Sequence, residues 1–308
     1  VKALVTGSAG FIGRHLVAEL RARGWDLVTM DIVTDADFTS GVVDGGFWFN
    51  SKSDALDFFR TDTTKFDLAF HCAATIGGRQ EIDGSPLSVG TNLALDAWYF
   101  RWLARSGTPR AVYFSSSAAY PTWLQGTAGA ASGKKLAEGD IRLDVMQRPD
   151  QTYGLAKLVG EVLAEYAEAL GTRVTVVRPF SGYGEDQDTC YPFPAFCDRA
   201  RQRLDPFEIW GDGQQVRDWI HVDDVIAGTL AAVEQDVQGP VNLCTGRATS
   251  FNELAKLVCA EAGYSPAFQH LPAMPSGVHY RVGDPTKLLT VYTPRVSLEE
   301  GIARALAG

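Results

Sequence analysis

Short β-branched runs alternate with stretches of helical period through the first half of the chain. Lys2–Thr6 reads as a buried strand, Phe11–Arg23 as a helix closed by Gly24, and Asp26–Met30 as the next strand. Further strands are predicted at Asp67–Phe70, Ala111–Phe114 and Arg173–Val177, and apolar spacing predicts a helix over Thr152–Leu170 ending at Gly171. This alternation predicts an α/β fold, a Rossmann-type doubly wound parallel sheet followed by a smaller C-terminal α/β region. After Arg178-Pro179, residues 180–216 are rich in Gly, Pro and aromatics with few regular periods, as expected of a ligand-covering region. Trp219–Gln235 turns from strand to helix, Val241–Cys244 reads as a strand, and Phe251–Ala262 as a helix before a Pro-rich loop. Gly129–Lys135, small and polar, is expected to be a mobile surface loop.

The first strand runs directly into Gly7-Ser8-Ala9-Gly10-Phe11-Ile12-Gly13, which opens the first helix. Gly7 permits a tight turn, Gly10 lets backbone approach a pyrophosphate, and Gly13 allows the helix to pack closely on the sheet. The helix N-terminus at Phe11 and Ile12 then faces the phosphates. Asp31 ends the second strand, where a carboxylate accepts from a ribose 2′-hydroxyl and repels a 2′-phosphate, so NAD is expected rather than NADP. After the strand Asp67–Phe70, His71-Cys72-Ala73-Ala74 offers small residues, Ala73 and Ala74, against which a flat cofactor can lie. His71 is expected to be structural or to flank the cofactor.

Tyr153 and Lys157 stand four apart on one predicted helix face. An ammonium and a positive nicotinamide ring beside a tyrosine favour the phenolate, which can take an alcohol proton. Lys157 can also hydrogen-bond the nicotinamide ribose. Ser115-Ser116-Ser117 comes directly after the strand Ala111–Phe114, and in a parallel sheet such residues line the ligand crevice. A serine hydroxyl there can donate to the substrate oxygen and share its proton with Tyr153.

Composition narrows the partners. The chain has 308 residues, 45% hydrophobic and 21% charged, with a formal net charge of −9. That acidity argues against nucleic acid or an anionic membrane as main partner. No apolar run reaches the ~20 residues of a membrane span, and the chain opens on a strand pattern with no signal-peptide regions. Its five cysteines lack CxxC spacing, and Cys190 and Cys197, seven apart, have no histidine nearby, so no metal site is expected. Reduced thiols fit a cytoplasmic protein.

Together these residues resemble an extended short-chain dehydrogenase/reductase of the nucleotide-sugar epimerase/dehydratase family, from end to end. The likeness rests on Gly7/Gly10/Gly13, Asp31, His71–Ala74, Asn92, Ser115–Tyr120, Tyr153/Lys157, Arg178-Pro179 and Trp210–Asp224. It implies NAD bound by residues 1–178 with about 217–247, and a nucleotide diphosphate sugar bound mainly by 179–216 and 248–308. Asn92 would border the cofactor. Placing Tyr120 on the family's tyrosine four beyond its catalytic Ser/Thr selects Ser116, with Ser117 the fallback and a substrate contact. Arg217, and Arg281 as a second, match the family's diphosphate arginines. Ser181 replaces the Asn of its Arg-Pro-x-Asn, and Tyr191 is a further substrate-side candidate. Family members dimerise through the helices around Asn92–Arg105 and Thr152–Leu170, where Trp98, Trp102 and Leu103 could serve that face or cover the sheet.

Members share oxidation at sugar C4 and differ in the later steps. The 4,6-dehydratases carry an Asp-Glu pair where this chain has Ser117 and Ala118, which cannot transfer protons. Members that epimerise GDP-mannose at C3 and C5 are locally similar over Pro194–Cys197, Glu208–Gly213 and Arg281–Asp284. They use a Cys and a Lys where Ala118 and Tyr191 stand. C4 epimerisation requires least: Ser116, Tyr153, Lys157, NAD and room for the 4-keto sugar to turn over. The alternatives are a 3,5-epimerase-like isomerase, a 4-keto-sugar reductase or dehydratase, and, outside enzymes, an NAD-sensing scaffold.

Overall fold

Why the chain folds as it does is clearest in its alternating strand residues. The computed structural model describes residues 1–32, 47–49, 52–77 and 79–307. In chain order the strands are β1 (Lys2–Thr6), β2 (Asp26–Ile32), β3 (Phe47–Phe49), β4 (Leu68–His71), β5 (Arg110–Phe114) and β6 (Arg173–Pro179). They continue with β7 (Ser181–Tyr183), β8 (Phe207–Trp210), β9 (Val216–Arg217), β10 (Trp219–His221), β11 (Val241–Leu243), β12 (Thr249–Ser250), β13 (Phe268–Leu271) and β14 (Tyr280–Arg281). Seven form one sheet in the order β11-β6-β5-β4-β1-β2-β3, with every adjacent pair parallel.

Ala3 and Val5 of β1 face a layer containing Leu16 and Leu20 of the helix Phe11–Ala22, with Ile226 and Leu230 of the helix Val222–Glu234. Leu4 faces the opposite layer, with Phe59, Tyr99, Trp102 and Ala164 from the helices Lys52–Thr61, Asn92–Ser106 and Gln151–Ala169. Both faces are therefore covered, as an all-parallel sheet requires. Trp102 and Leu103 are fully buried in the second layer, so of their two possible roles the structure assigns them to covering the sheet. Each such side chain contributes roughly 1.5–3 kcal/mol by burial.

The chain leaves β1 towards β2 and β3, then returns to place β4 on the other side of β1. The carboxyl ends of β1 and β4 thus border the switch point where open α/β sheets bind ligands. A second core lies beyond it, where Phe193, Phe196, Phe207, Ile209, Trp219, Phe251 and Leu254 pack with Leu298 and Ile302.

Three expectations need correction. Residues 180–216 are not mainly irregular: they hold β7, β8, β9 and the helix Pro192–Arg201. That helix buries Phe193, Phe196, Cys197 and Ala200, a helical spacing obscured by the surrounding Gly and Pro. Gly129–Lys135 is not a mobile loop, since Thr127–Ser132 is helical and Gly129 is buried. A Cβ on Gly129 would stand 2.3 Å from the Leu124 carbonyl oxygen, so its small size serves packing. The segment after Phe251–Glu261 also holds β13, β14 and the helix Leu298–Ala307. Elsewhere the predicted elements shift by one or two residues, as frayed ends do.

Candidate active site

At the switch point the backbone comes very close to itself. Gly7 has φ +69°, and a Cβ there would meet Ala73 N at 2.5 Å; one on Gly13 would stand 1.9 Å from the Gly7 carbonyl oxygen. Only glycine permits this turn and this helix approach. Among the described residues no side chain caps the helix N-terminus at Gly10, and Ser8 Oγ is buried with no hydrogen-bond partner. Such a cradle fits a dinucleotide pyrophosphate. The Asp31 carboxylate accepts from Ala9 N and Ile32 N at 2.7 Å each, which holds it at the end of β2.

A cavity of about 920 Å³ opens from this turn. Its wall includes Gly7, Gly10, Phe11, Ile12, Gly13 and Asp31 at one end, and Ala73, Ala74 and Asn92 beside them. Ser116, Ser117, Tyr153, Lys157, Ser181, Tyr191, Arg217 and Arg281 line the remainder. The structure thus brings every cofactor, catalytic and substrate candidate to one space. Asn92 spends its amide on Thr75, accepting from its N–H at 2.6 Å and donating to its carbonyl at 2.8 Å, so it shapes the loop after β4.

The helix carrying Tyr153 presses on the loop after β5. A Cβ on Gly154 would stand 2.2 Å from the Ala118 carbonyl oxygen, and Asp150 N donates to that same oxygen at 3.0 Å. Gly154 is therefore what brings Tyr153 up to the serine loop, where Ser116 Oγ accepts from Ala118 N at 3.1 Å. Lys157, buried, sets its ammonium 5.2 Å from the Tyr113 ring centre and 5.9 Å from that of Tyr153. Among the described residues it has no ion-pair partner, and it borders the cavity. A buried ammonium so placed fits a ligand's ribose hydroxyls.

Behind these groups lies a buried ion pair. Arg178 donates from Nε and Nη2 to Glu161 at 2.9 and 2.6 Å, and from Nη1 to Tyr120 at 3.1 Å; Glu161 also accepts from Ser115. Burial works against the Arg178 guanidinium, but Glu161 outweighs it and holds it above its ordinary range. His71 is structural: it bridges Thr6 and Asp96 at 2.8 and 3.1 Å and stacks on Tyr99. Burial lowers its proton affinity despite Asp96. Phe193 and Phe196 belong to the second core.

The two arginines differ. Arg217 donates to the backbone carbonyls of Val216 and Ser276 at 2.8 and 3.1 Å, with no carboxylate bound among the described residues. Burial, then Arg281 and Arg79, pulls it down to about 9, so it is cationic at neutral pH. Arg281 instead pairs with Asp150 at 2.8 Å and bonds Gln125. Asp150 and its second partner Arg79 were not singled out in the sequence. The available signal was position, Asp150 standing three residues before Tyr153.

These features define a dinucleotide-dependent enzyme on a doubly wound sheet, with Ser116, Tyr153 and Lys157 in one cavity wall. The model of the NAD dependent epimerase/dehydratase family matches residues 3–244, and the chain belongs to that family. GDP-mannose 3,5-epimerase 1 of Oryza sativa subsp. indica is 28% identical over 313 residues, covering 97% of this chain and 79% of that one. The dTDP-4-dehydro-6-deoxy-D-allose reductase of Streptomyces bikiniensis is 30% identical over 314 residues, covering 96% and 94%. The solved UDP-glucose 4-epimerase of Thermus thermophilus, in complex with NAD, is 25% identical, covers 100% of this chain and 98% of that one, and superposes with TM-score 0.81. The cofactor is NAD.

Proposed function

We propose that this enzyme is a nucleotide-sugar 4-epimerase working through a transient 4-keto sugar. The observation that carries the reading is the composition of the cavity wall: Ser116, Tyr153 and Lys157 are present, and the further ionisable groups near them, Cys72, Tyr191 and Asp150, are poorly suited to a second proton transfer, the Cys72 thiol being pushed up by burial. Ala118 occupies one position where family members keep a proton carrier. At the other, burial pushes the Tyr191 hydroxyl up. Burial also opposes ionisation of Asp150, but Arg281 and Arg79 outweigh it, and the carboxyl stays below the usual range, unsuited to carrying protons near neutral pH.

In this reading Gly7, Gly10, Gly13, Phe11 and Ile12 hold the pyrophosphate, and Asp31 accepts from the adenosine ribose. When bound, the nicotinamide supplies a reversible two-electron store for hydride. Tyr153 takes the C4 hydroxyl proton and Ser116 donates to the same oxygen, while Lys157 orients the ribose. Arg217 and Arg281 hold the diphosphate, Ser117, Ser181 and Tyr191 border the sugar, and the proton returns after the keto sugar turns over. Residues 1–178 with about 217–247 form the cofactor part, and 179–216 with 248–308 the substrate part.

A 4-keto-sugar reductase is the second reading, because the reductase relative is 30% identical and such a reaction uses the same three residues. Incubation with UDP-, GDP-, dTDP- and CDP-sugars, with NAD and NADP in parallel, separates the two. The expected result is a C4 isomer formed with catalytic NAD, no support from NADP and no net NADH. Stoichiometric consumption of reduced cofactor by a 4-keto sugar, without an isomer, would establish the reductase.

The same reading takes the enzyme to be a cytoplasmic homodimer. The helix Gln151–Ala169 and its end leave Leu155, Tyr166 and Leu170 38%, 66% and 73% exposed, an apolar row beside the helix Asn92–Ser106. Sedimentation should read twice the 33.4 kDa chain mass; a monomer at micromolar concentration would discard this part.

A further inference from the structure

Arg79 adds a cation to the cavity that the mechanism above does not use. It begins the helix Arg79–Gly84 on the loop after β4 and lines the cavity with Arg217 and Arg281. Its Nη1 donates to both oxygens of Asp150 at 2.9 and 3.1 Å, and the same carboxylate receives Arg281 Nη2 at 2.8 Å. Nε and Nη2 hold Asp83 at 2.8 Å each on the outer side. A methyl built on Gly277 would stand 3.3 Å from Arg79 Nη1 and 3.4 Å from Arg217 Nη2. Arg79 and Arg217 thus converge on one patch, and the glycine keeps the space between them open.

The charge there is unbalanced. Three guanidinium groups share the cavity with Asp150, which is 11% exposed, while Asp83, 33% exposed, lies towards solvent. Three arginines against Asp150 and Asp83 leave one net positive charge, and Arg217 is the guanidinium that no carboxylate holds among the described residues. Unpaired charge in a low-dielectric site is costly unless an anion arrives. A diphosphate diester brings two negative charges, and guanidinium groups bind its oxygens through paired donors.

We propose that Arg79 is a third ligand of the substrate's diphosphate, held ready beside Arg281 by their shared Asp150. This rests on the nucleotide-sugar reading above. Asp150 is a positioning residue: it sets the two arginines and, through its backbone bonds to Ala118 and Gly154, ties them to the start of the catalytic helix.

The test is calorimetric titration of the full chain, saturated with NAD, with UDP, GDP and dTDP and their monophosphates. Arg79→Ala should weaken the tightest-binding diphosphate by about 10- to 100-fold and its monophosphate much less. NAD affinity should not change, and Arg217→Ala serves as the positive control. Should Arg79→Ala melt early, Arg79→Gln is read by the same diphosphate-to-monophosphate ratio, which a merely structural role would not move. An unchanged ratio in the Arg79 variants, with a loss in Arg217→Ala, overturns the proposal alone. A wild-type chain that binds no nucleoside diphosphate overturns the nucleotide-sugar reading and the proposal with it.

Discussion

Tyr153→Phe should lower kcat by about 10²- to 10⁴-fold, the range attributed to a positioned proton-transfer group, while leaving the fold and NAD affinity intact. The lost atom is the hydroxyl of a residue that lines the cavity, and it takes part in no hydrogen bond among the described residues. Its ring still packs near Lys157. Turnover of the best sugar nucleotide and the melting temperature should therefore separate cleanly, activity falling and stability holding. A variant within about tenfold of wild-type kcat would remove Tyr153 from proton transfer and leave the role to Ser116. Lys157→Met would not give so clean a result, because that ammonium is buried and its removal also changes packing.

The largest stability loss should come from Glu161→Ala, about 3–5 kcal/mol, because Arg178 would be left buried and unpaired. This would remove much of the ~5–15 kcal/mol typical of a folded domain. Glu161 is 1% and Arg178 2% exposed at the side chain, and the pair joins the helix Gln151–Ala169 to β6. Urea unfolding tracked by circular dichroism measures it. Replacing both, Glu161→Met with Arg178→Leu, should recover part of the loss, since an apolar pair removes both desolvation costs. A loss below about 1 kcal/mol in the single variant would mean that water reaches Arg178 and the pair behaves as a surface bridge.

These two residues mark different degrees of legibility. Tyr153 is found through a four-residue spacing on one helix, a signal carried by adjacent turns. The glycine turn is equally local, with its three glycines, strand and helix lying within 22 residues of the start. Glu161 gives no such signal, because a carboxylate on a helix reads as a solvated face until the path of β6 brings Arg178 against it. Phe193, Phe196, Cys197 and Ala200 do have helical spacing, but the neighbouring glycines and prolines hide it. Gly129 misleads for the opposite reason: small residues read as a loop, while here they allow close packing against Leu124.

The sequence by itself determined the order of elements, the parallel sheet and the glycine turn, and it singled out Ser116, Tyr153 and Lys157, which share one cavity wall. Each comes from periodicity and from short motifs whose parts are neighbours along the chain. Tertiary structure alone decided that Trp102 and Leu103 cover the sheet, that Arg281 is paired with a carboxylate while Arg217 meets backbone carbonyls and the Phe251 ring, and that Arg79 joins them. Asp150 meets Arg79 across 71 residues and Arg281 across 131. Hydrophobic pattern states that a residue is buried and charge states that it seeks a partner; which partner it finds depends on the three-dimensional path of the chain.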